Sequence, residues 1–554
     1  MDQRAPRRAT GMSRHSTRKL LAFRHPVTKL QCAMIGCPKP QLAAPIRNSL
    51  CYPPLQAFPN VPSWIPAHRR LRVHMPLQHQ CKTGDDSANG PVAGDPQSDD
   101  NVEFPNVWGC VPGPACGRRK LFPRRSSTVG KCPALVGERG LIQSKTLGRE
   151  VSSAMALSVS KLIQALEPSA TMAMAAKAKE LKASGRTVYD LSLGEPDFPT
   201  PEHICQAAIE AMKAGHTHYT VASGIPELKR AVVEQYRGRY GLSYPPQYVV
   251  ISNGAKHAIH NALVAVLNPG DEVIIPAPYW VSYSELVKLT GAVPVIVPTE
   301  ESNGFKLTPE VLRAAITPKT RMLLLCTPSN PTGTMYSRQE LEGLARVVLD
   351  TDLVVLADEI YDRLTYTSEP FASFPTVCPG LQERTILING VSKTYAMTGW
   401  RIGWAIAPNK DIAEAMASLQ SQETSNPCSI SQYAALAAIT GPQDCVETMR
   451  REFERRKNFV AERLAKIPGV SCAPMEGAFY AFVNISRHLG KRYNGTVVDN
   501  SSQWCLELLS QKGVATVMGS AFGAEGYVRL SFAAATEELA RALDLMEEFI
   551  REAK

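Results

Sequence analysis

Short apolar segments alternate with amphipathic helical stretches along the chain from residue 155 onward. Five of these segments are rich in Val, Ile and Leu, and each one ends in a polar or glycine-bearing loop. They read YVVISNGAK from 248, EVIIPAPYW from 272, RMLLLCTPSNPTG from 321, LVVLADEIY from 353 and TILINGVSK from 385. Continuous apolar runs separated by helices are typical of a parallel sheet that is buried on both faces. The pattern therefore predicts an α/β fold with a mainly parallel sheet.

Residues with reactive or unusual side chains follow these predicted strands directly. They are Gly254, Trp280, Asn330, Asp358 and Lys393. In an open parallel sheet, ligands bind outside the carboxyl ends of the strands. The sequence therefore predicts one ligand site that these residues share.

Residues 1–154 show neither a helical nor a strand period, and they hold 18 of the 42 prolines of the chain. They also hold 23 of the 61 Lys and Arg residues but only 9 of the 51 Asp and Glu residues, so the net charge of +10 arises here. We predict that this stretch is a largely disordered basic extension. It is a natural tail that favours polyanions, a segment for organelle import, or a misassigned start, with Met155 as the true first residue. The third interpretation is favoured.

The overall composition is that of a globular protein, with 44% hydrophobic and 20% charged residues. No apolar run approaches the ~20 residues of a membrane span. The 14 cysteines are scattered without zinc-type pairs, which favours reduced thiols and no metal site. We therefore predict a cytoplasmic protein, with organelle import as the alternative if the extension is real, and no membrane or nucleic-acid partner.

Two cations and one carboxylate stand out near the predicted strand ends. Lys393 and Arg401 lie eight residues apart in GVSKTYAMTGWRIGW, among glycines and aromatic residues. A lone lysine in a loop is usually solvated, but a lysine beside a second cation fits a nucleophile next to an anion site. Asp358 follows the strand LVVLA, where a carboxylate either caps the next turn or pairs with a cation.

These residues and their neighbours together meet the needs of pyridoxal phosphate. Lys393 can bond to the aldehyde carbon, and Asp358 can keep the pyridine nitrogen protonated. Asn330 and Tyr361 can donate hydrogen bonds to the phenolic oxygen, although Asn330 alone would fit the start of a turn. Arg401 can hold the phosphate through its planar fork.

A glycine-led helix start and a tryptophan complete this predicted cofactor site. Gly254 and Ala255 open a helix after a strand, where free backbone N–H groups can bind phosphate oxygens. Trp280 can lie flat against the pyridine ring. Seen alone, Trp280 would fit a core position equally well.

Eight motifs in order carry a resemblance to a known family. They are LSLGEPDFPTPEHI (191–204), HYTVASGIPELK (218–229), SNGAKHAI (252–259), PAPYWVSY (276–283), PSNPTGTMYS (328–337), ADEIYDRLTY (357–366), SKTYAMTGWRIGW (392–404) and YVRLSFA (527–533). Residues 160–552 resemble the class I aminotransferases of the aspartate aminotransferase family. Gly390, where some relatives carry a hydroxyl residue, resembles the bacterial and plastid branch, which includes aspartate and prephenate aminotransferases.

The resemblance implies the fold-type I architecture of pyridoxal-phosphate enzymes. A large domain holds a mainly parallel seven-stranded sheet, and a smaller α/β domain packs beside it. We place the N-terminal segment of the small domain at 155–205, the large domain at 206–440 and the rest of the small domain at 441–554. The family also implies a homodimer with shared active sites.

The resemblance also implies roles for single residues. Lys393 attaches the cofactor and carries the proton, while Asp358, Tyr361, Asn330 and Arg401 keep the cofactor contacts described above.

On the substrate side, the resemblance implies that Arg529 binds the α-carboxylate of the substrate. Gly194 then lets the N-terminal segment come close to that carboxylate. Trp280 and Asn330 also border the substrate. Tyr219 reaches the cofactor phosphate from the partner subunit.

The expected reaction is ping-pong transamination between aspartate and 2-oxoglutarate. Lys256 and Thr171 resemble the residues that receive the distal carboxylate, although Thr171 would also suit a helix N-cap. Prephenate is an additional or alternative acceptor, because it too carries a second carboxylate. Two rivals of lower rank are a carbon–sulfur lyase on the same fold and a cofactor-sensing transcription regulator.

Overall fold

The computed structural model describes residues 158–554, so the predicted disorder of residues 1–154 lies outside the described range. The α-helices of the described part are α1 Lys161–Gln164, α2 Ala170–Ala183, α3 Glu202–Lys213, α4 Pro226–Tyr240, α5 Ala255–Val266, α6 Ser282–Leu289, α7 Pro309–Ala315, α8 Arg338–Leu349, α9 Val391–Thr394, α10 Lys410–Glu423, α11 Ser429–Thr440, α12 Asp444–Leu464, α13 Ser501–Lys512 and α14 Thr536–Glu552. The strands are β1 Tyr189–Asp190, β2 Val249–Ser252, β3 Glu272–Ala277, β4 Val293–Pro298, β5 Thr320–Cys326, β6 Val354–Asp358, β7 Thr385–Gly390, β8 Gly403–Ile406, β9 Ser471–Cys472, β10 Tyr480–Asn484, β11 Lys491–Tyr493, β12 Thr496–Val498, β13 Val514–Ala515, β14 Val517–Met518 and β15 Tyr527–Ser531.

A seven-stranded sheet forms the centre of the described chain. Its strand order is β2-β8-β7-β6-β5-β3-β4. All neighbouring pairs are parallel except the two that include β8, which runs antiparallel to both β2 and β7. The five apolar runs noted in the sequence form β2, β3, β5, β6 and β7, and the predicted mainly parallel sheet is confirmed.

Both faces of this sheet are apolar because successive side chains of a strand point to opposite faces. In β5, Leu323 and Leu325 contribute to one hydrophobic cluster, and Met322 and Leu324 contribute to another. The first cluster includes residues of α4, α8 and α11, and the second includes residues of α5, α6 and α10. Helices therefore cover the sheet on both sides, and only the strand ends are open to a ligand.

A second, antiparallel sheet of four strands lies in the C-terminal part, with the order β14-β15-β10-β9. The short strand β1 pairs in parallel with β13, so the segment before residue 191 joins this C-terminal part. Helices α12, α13 and α14 bury a third hydrophobic cluster against these strands. The domain boundaries at 205/206 and 440/441 stay predictions.

Among residues 158–554, no helix combines the length and the apolar character that crossing a bilayer requires.

Candidate active site

A cavity of about 480 Å³ lies at the carboxyl ends of the parallel strands. Most of the residues predicted from the sequence line it, and they come from nine separate stretches of the chain. They are Thr171, Gly194, Ala255, Lys256, Trp280, Asn330, Asp358, Tyr361, Lys393, Arg401 and Arg529. The structure therefore brings together residues that are up to 358 positions apart in the chain. Gly254 and Tyr219 are the two predicted site residues that do not line the cavity.

Lys393 lies in α9, the single helical turn that follows β7. Its Nζ donates a hydrogen bond to the backbone oxygen of Gly194 at 2.5 Å. Burial lowers the pKa of Lys393 to about 8; Glu195 opposes this shift, while the cations Arg529 and Arg401 add to it. The amine is thus far closer to its neutral, nucleophilic form at neutral pH than an ordinary lysine is.

The depressed pKa of Lys393 can be measured without any ligand. We expect acetic anhydride at limiting concentration to acetylate Lys393 in the apoprotein. The rate should rise with pH with a midpoint near the pKa of about 8, because only the neutral amine reacts. Lys288 is a control within the same chain, since its ion pair with Glu285 raises its pKa above the ordinary value of 10.5. Mass mapping of the labelled peptides gives both profiles. A Lys393 midpoint near 10.5 would contradict the prediction.

Asp358 ends β6 and is buried beneath the cavity. The Tyr283 hydroxyl donates to Oδ2 of Asp358 at 2.6 Å, and the Ile360 N–H donates to Oδ1 at 3.2 Å. Burial raises the pKa of Asp358 to about 6, against the opposing effect of these two donors and of Lys393. A cation placed beside Asp358 would restore its charged form. Tyr283 was missed as a site residue, although it ends the motif PAPYWVSY.

Arg529, in the middle of β15, is a buried cation with only 1% of its surface exposed. Its Nη1 donates to Oδ1 of Asn330 at 3.1 Å, and its Nη2 donates to the backbone oxygen of Ser192 at 2.6 Å. Nε has no hydrogen-bond partner, and within residues 158–554 the groups whose charge acts on this guanidinium are Tyr480 and Tyr361, with no carboxylate among them. Burial lowers the pKa of Arg529. A buried cation without a counter-charge, aimed into a cavity, is suited to an anionic ligand.

Arg401 and the start of α5 form a second anion-binding corner. Arg401 has a left-handed backbone (φ 55°), and its guanidinium donates to the backbone oxygens of Thr398 and Asn253 at 2.9 and 3.4 Å. Gly254 precedes α5 without a side-chain cap, so the first N–H groups of that helix lack helical partners. A Cβ added at Gly254, whose φ is +84°, would lie 2.8 Å from Cζ of Arg401. Glycine at position 254 therefore lets the Arg401 guanidinium pack directly against the start of the helix.

The cavity lining also includes a lysine, a tryptophan and a threonine: Lys256, Trp280 and Thr171. Nζ of Lys256 lies 4.9 Å from the ring centroid of Trp280. Burial, and then Arg401, lower the pKa of Lys256. The N-cap of α2 is Ser169, whose Oγ accepts from the N–H of Met172 at 3.5 Å. The capping role considered for Thr171 thus belongs to Ser169, and Thr171 lines the cavity instead.

Tyr219 is 89% exposed and does not contact the cavity of its own chain. Its predicted contact with a phosphate across a subunit interface stays a prediction.

The family model of aminotransferase class I and II matches residues 186–544, and the chain belongs to this family. Within it, the chain is an aspartate aminotransferase-like enzyme of fold-type I, as the sequence motifs indicated. Members of the family depend on pyridoxal phosphate.

Two curated relatives and one solved structure illustrate the similarity. The chain is 47% identical over 394 residues to the aspartate aminotransferase of Geobacillus stearothermophilus, which covers 71% of this chain and 99% of that protein. It is also 47% identical over 393 residues to the aspartate/prephenate aminotransferase of Cereibacter sphaeroides, with 71% and 98% covered. The crystal structure of the aspartate aminotransferase from Rhizobium meliloti matches with a TM-score of 0.70 and 41% identity, covering 72% of this chain and all of that chain.

Proposed function

We propose that this chain binds pyridoxal phosphate in the cavity and transfers the amino group of aspartate to 2-oxoglutarate. The observation that carries the proposal is the convergence of Lys393, Asp358 and Arg529 on one cavity. A lysine with a depressed pKa, a buried carboxylate and a buried unpaired cation are the three groups that this chemistry needs.

The residues present fit this cofactor. The corner of Arg401 and the N-terminus of α5 suits a phosphate, since glycine at position 254 brings the guanidinium close to the uncapped N–H groups of that helix. Asp358 suits a protonated pyridine nitrogen, because that cation would offset the cost of burying the carboxylate. Asn330 and Tyr361 can donate hydrogen bonds to the phenolic oxygen of the cofactor. When bound, pyridoxal phosphate supplies an electron sink that stabilises negative charge at the substrate α-carbon.

The protein residues then bind the amino acid and move its protons. Arg529 grips the α-carboxylate through two parallel hydrogen bonds, which fixes the α-carbon beside Lys393. The Lys393 amine, close to its neutral form, removes the α-proton and returns it on the cofactor side, so it acts in turn as base and acid. The second keto acid reverses the steps, which gives ping-pong kinetics.

Lys256 and Thr171 support a substrate with two carboxylates. Both line the same cavity as Arg529, so a distal carboxylate bound there could meet a cation and a hydroxyl. The relatives named aspartate aminotransferase and aspartate/prephenate aminotransferase support the same class of substrate. Prephenate, which also has two carboxylates, is the second candidate acceptor.

A homodimer is part of the proposal. Tyr219 and Val221 expose 89% and 61% of their surface, and they lie in one loop of the described chain. Exposed aromatic and aliphatic residues of this kind are often covered by a partner. If a second copy covers this loop, Tyr219 can complete the phosphate site of that copy.

The full-length protein with pyridoxal phosphate tests the substrate directly. We expect glutamate from aspartate and 2-oxoglutarate, and arogenate when prephenate replaces 2-oxoglutarate. Cofactor binding without either product would favour another enzyme of the same fold. Release of ammonia and pyruvate from a β-substituted amino acid without an acceptor would identify a carbon–sulfur lyase.

Substitution of Lys256 tests the distal carboxylate site. We expect Lys256→Ala to raise KM for aspartate by about 10- to 100-fold, because a hydrogen bond to a charged group contributes about 1.5–3 kcal/mol. Alanine, which lacks a distal carboxylate, serves as the control donor, and its kcat/KM should stay within about threefold. Equal losses for aspartate and alanine would show that Lys256 supports the fold or the cofactor instead.

A further inference from the structure

Tyr480 is a buried residue of the cavity that the sequence motifs did not point to. It begins β10 and pairs with Ser531 of β15, so it lies two residues along the paired strand from Arg529. Its surface is 0% exposed, yet its side chain lines the cavity. A tyrosine in this position brings a hydroxyl and a flat ring to the cavity wall.

The hydroxyl of Tyr480 lies 2.9 Å from the hydroxyl of Tyr361, and either can be the donor. Each phenol has a single proton to donate. If Tyr480 donates to Tyr361, the proton of Tyr361 is free to point into the cavity. The bond received also polarises Tyr361 and makes it a stronger donor, because linked hydrogen bonds reinforce one another.

The ring of Tyr480 contacts Arg529. Cζ of Arg529 lies 4.6 Å from the ring centroid, which is within the range of a cation–π contact. Gly194 leaves room for the Tyr480 hydroxyl, since a Cβ on that glycine would lie 3.2 Å from it. One side chain therefore contacts Tyr361, Arg529 and the segment whose backbone oxygen accepts from Lys393.

We propose that Tyr480 is a positioning residue with two separable contacts: its hydroxyl directs the Tyr361 proton toward the cofactor, and its ring holds the Arg529 guanidinium ready for the substrate carboxylate. The inference rests on the proposed function, because both contacts serve a bound cofactor and an amino-acid substrate. The charged and titratable groups that act on the Tyr480 hydroxyl are Arg529, Tyr361, Cys326 and Glu195.

Tyr480→Phe separates the two contacts, because it removes the hydroxyl and keeps the ring. The readout is the pH midpoint of the absorbance of pyridoxal phosphate bound to the full-length protein. Negative charge on the phenolic oxygen of the cofactor stabilises a proton on the Lys393 nitrogen. A hydrogen-bond donor to that oxygen withdraws part of this charge and so lowers the pKa of the nitrogen. A weaker donor therefore raises the midpoint, and we expect an upward shift of about half to one pH unit.

A double-mutant cycle shows whether the hydroxyl acts through Tyr361. We expect Tyr361→Phe to shift the midpoint upward as well, and the double variant to shift it no further than Tyr361→Phe does. Tyr366→Phe is the matched control, since its hydroxyl bonds to the backbone oxygen of Ala478 in the same region and does not line the cavity. That control should leave the midpoint unchanged.

Tyr480→Leu tests the ring. We expect it to raise KM for aspartate by about 3- to 30-fold relative to Tyr480→Phe, because the cation–π contact is lost. Urea unfolding identifies any variant that fails to fold, and the Phe variant keeps the inference testable in that case.

Two results would overturn this inference and leave the proposed function intact. They are an unchanged pH midpoint in Tyr480→Phe, or midpoint shifts that add up in the double variant. A wild-type protein that does not bind pyridoxal phosphate would overturn the proposed function instead.

Discussion

Lys393→Ala is expected to lower kcat for transamination by at least about 10⁴-fold, the upper end of the range for a general acid–base group. The reason is that one amine has both proposed roles, cofactor attachment and transfer of the α-proton, and among the residues that line the cavity Lys393 is the lysine whose Nζ bonds to Gly194. Lys256 is the other lysine of the cavity, and its amine is directed toward Trp280. Single-turnover kinetics with aspartate measure the loss.

Lys256→Ala provides the matched control for this variant, because it also removes a cavity lysine. It should keep the covalent attachment of pyridoxal phosphate, which borohydride reduction and mass mapping detect at Lys393. A Lys393→Ala protein that transaminates at the wild-type rate would refute the assignment of the whole site.

Arg529→Leu is expected to lower kcat/KM for aspartate by about 10²–10⁴-fold, since each hydrogen bond to a charged group contributes about 1.5–3 kcal/mol and the proposed grip is bidentate. Arg529 is buried, and its Nε has no hydrogen-bond partner in the described part of the chain, while its two Nη atoms donate to Asn330 and Ser192. Arg529→Lys should recover only part of the loss, because an ammonium keeps the charge but lacks the planar fork.

β-Alanine identifies the carboxylate that Arg529 binds, because it equals aspartate without the α-carboxylate. The wild-type enzyme should prefer aspartate over β-alanine strongly, and Arg529→Leu should remove most of that preference. If the variant lost activity on both compounds equally, Arg529 would serve the fold and not the substrate.

The central sheet was predictable because its strands carry their signal locally. Each run of Val, Ile and Leu in β2, β3, β5, β6 and β7 is apolar on both faces, and each ends in a residue with distinct chemistry. Position at a strand end marked Lys393 and Asp358 as candidates, and the other residues at the strand ends, taken together, favoured a shared ligand site. Strand β8 was less visible, because GWAI is short and follows directly on a motif rich in glycine and aromatic residues.

The residues that were missed act through contacts between distant parts of the chain. Tyr283 reaches Asp358 across 75 positions, and Tyr480 reaches Tyr361 across 119. Neither tyrosine breaks the apolar pattern of its element, so periodicity gives no reason to separate it from the core. The backbone oxygen of Ser192 that binds Arg529 has no side-chain signal at all.

The pairing of β1 with β13 has a consequence for how the enzyme is made. Strand β1 leaves the ribosome early and waits for more than three hundred further residues before its partner is synthesised. Lys393, Asp358 and Arg401 emerge well before Arg529, which lies in the last strand of the chain. A nascent chain thus contains the residues proposed to bind the cofactor before it contains the one proposed to bind the substrate carboxylate. The pairing of β1 with β13 thus joins a segment made before the residues of the proposed cofactor site to a segment made after them.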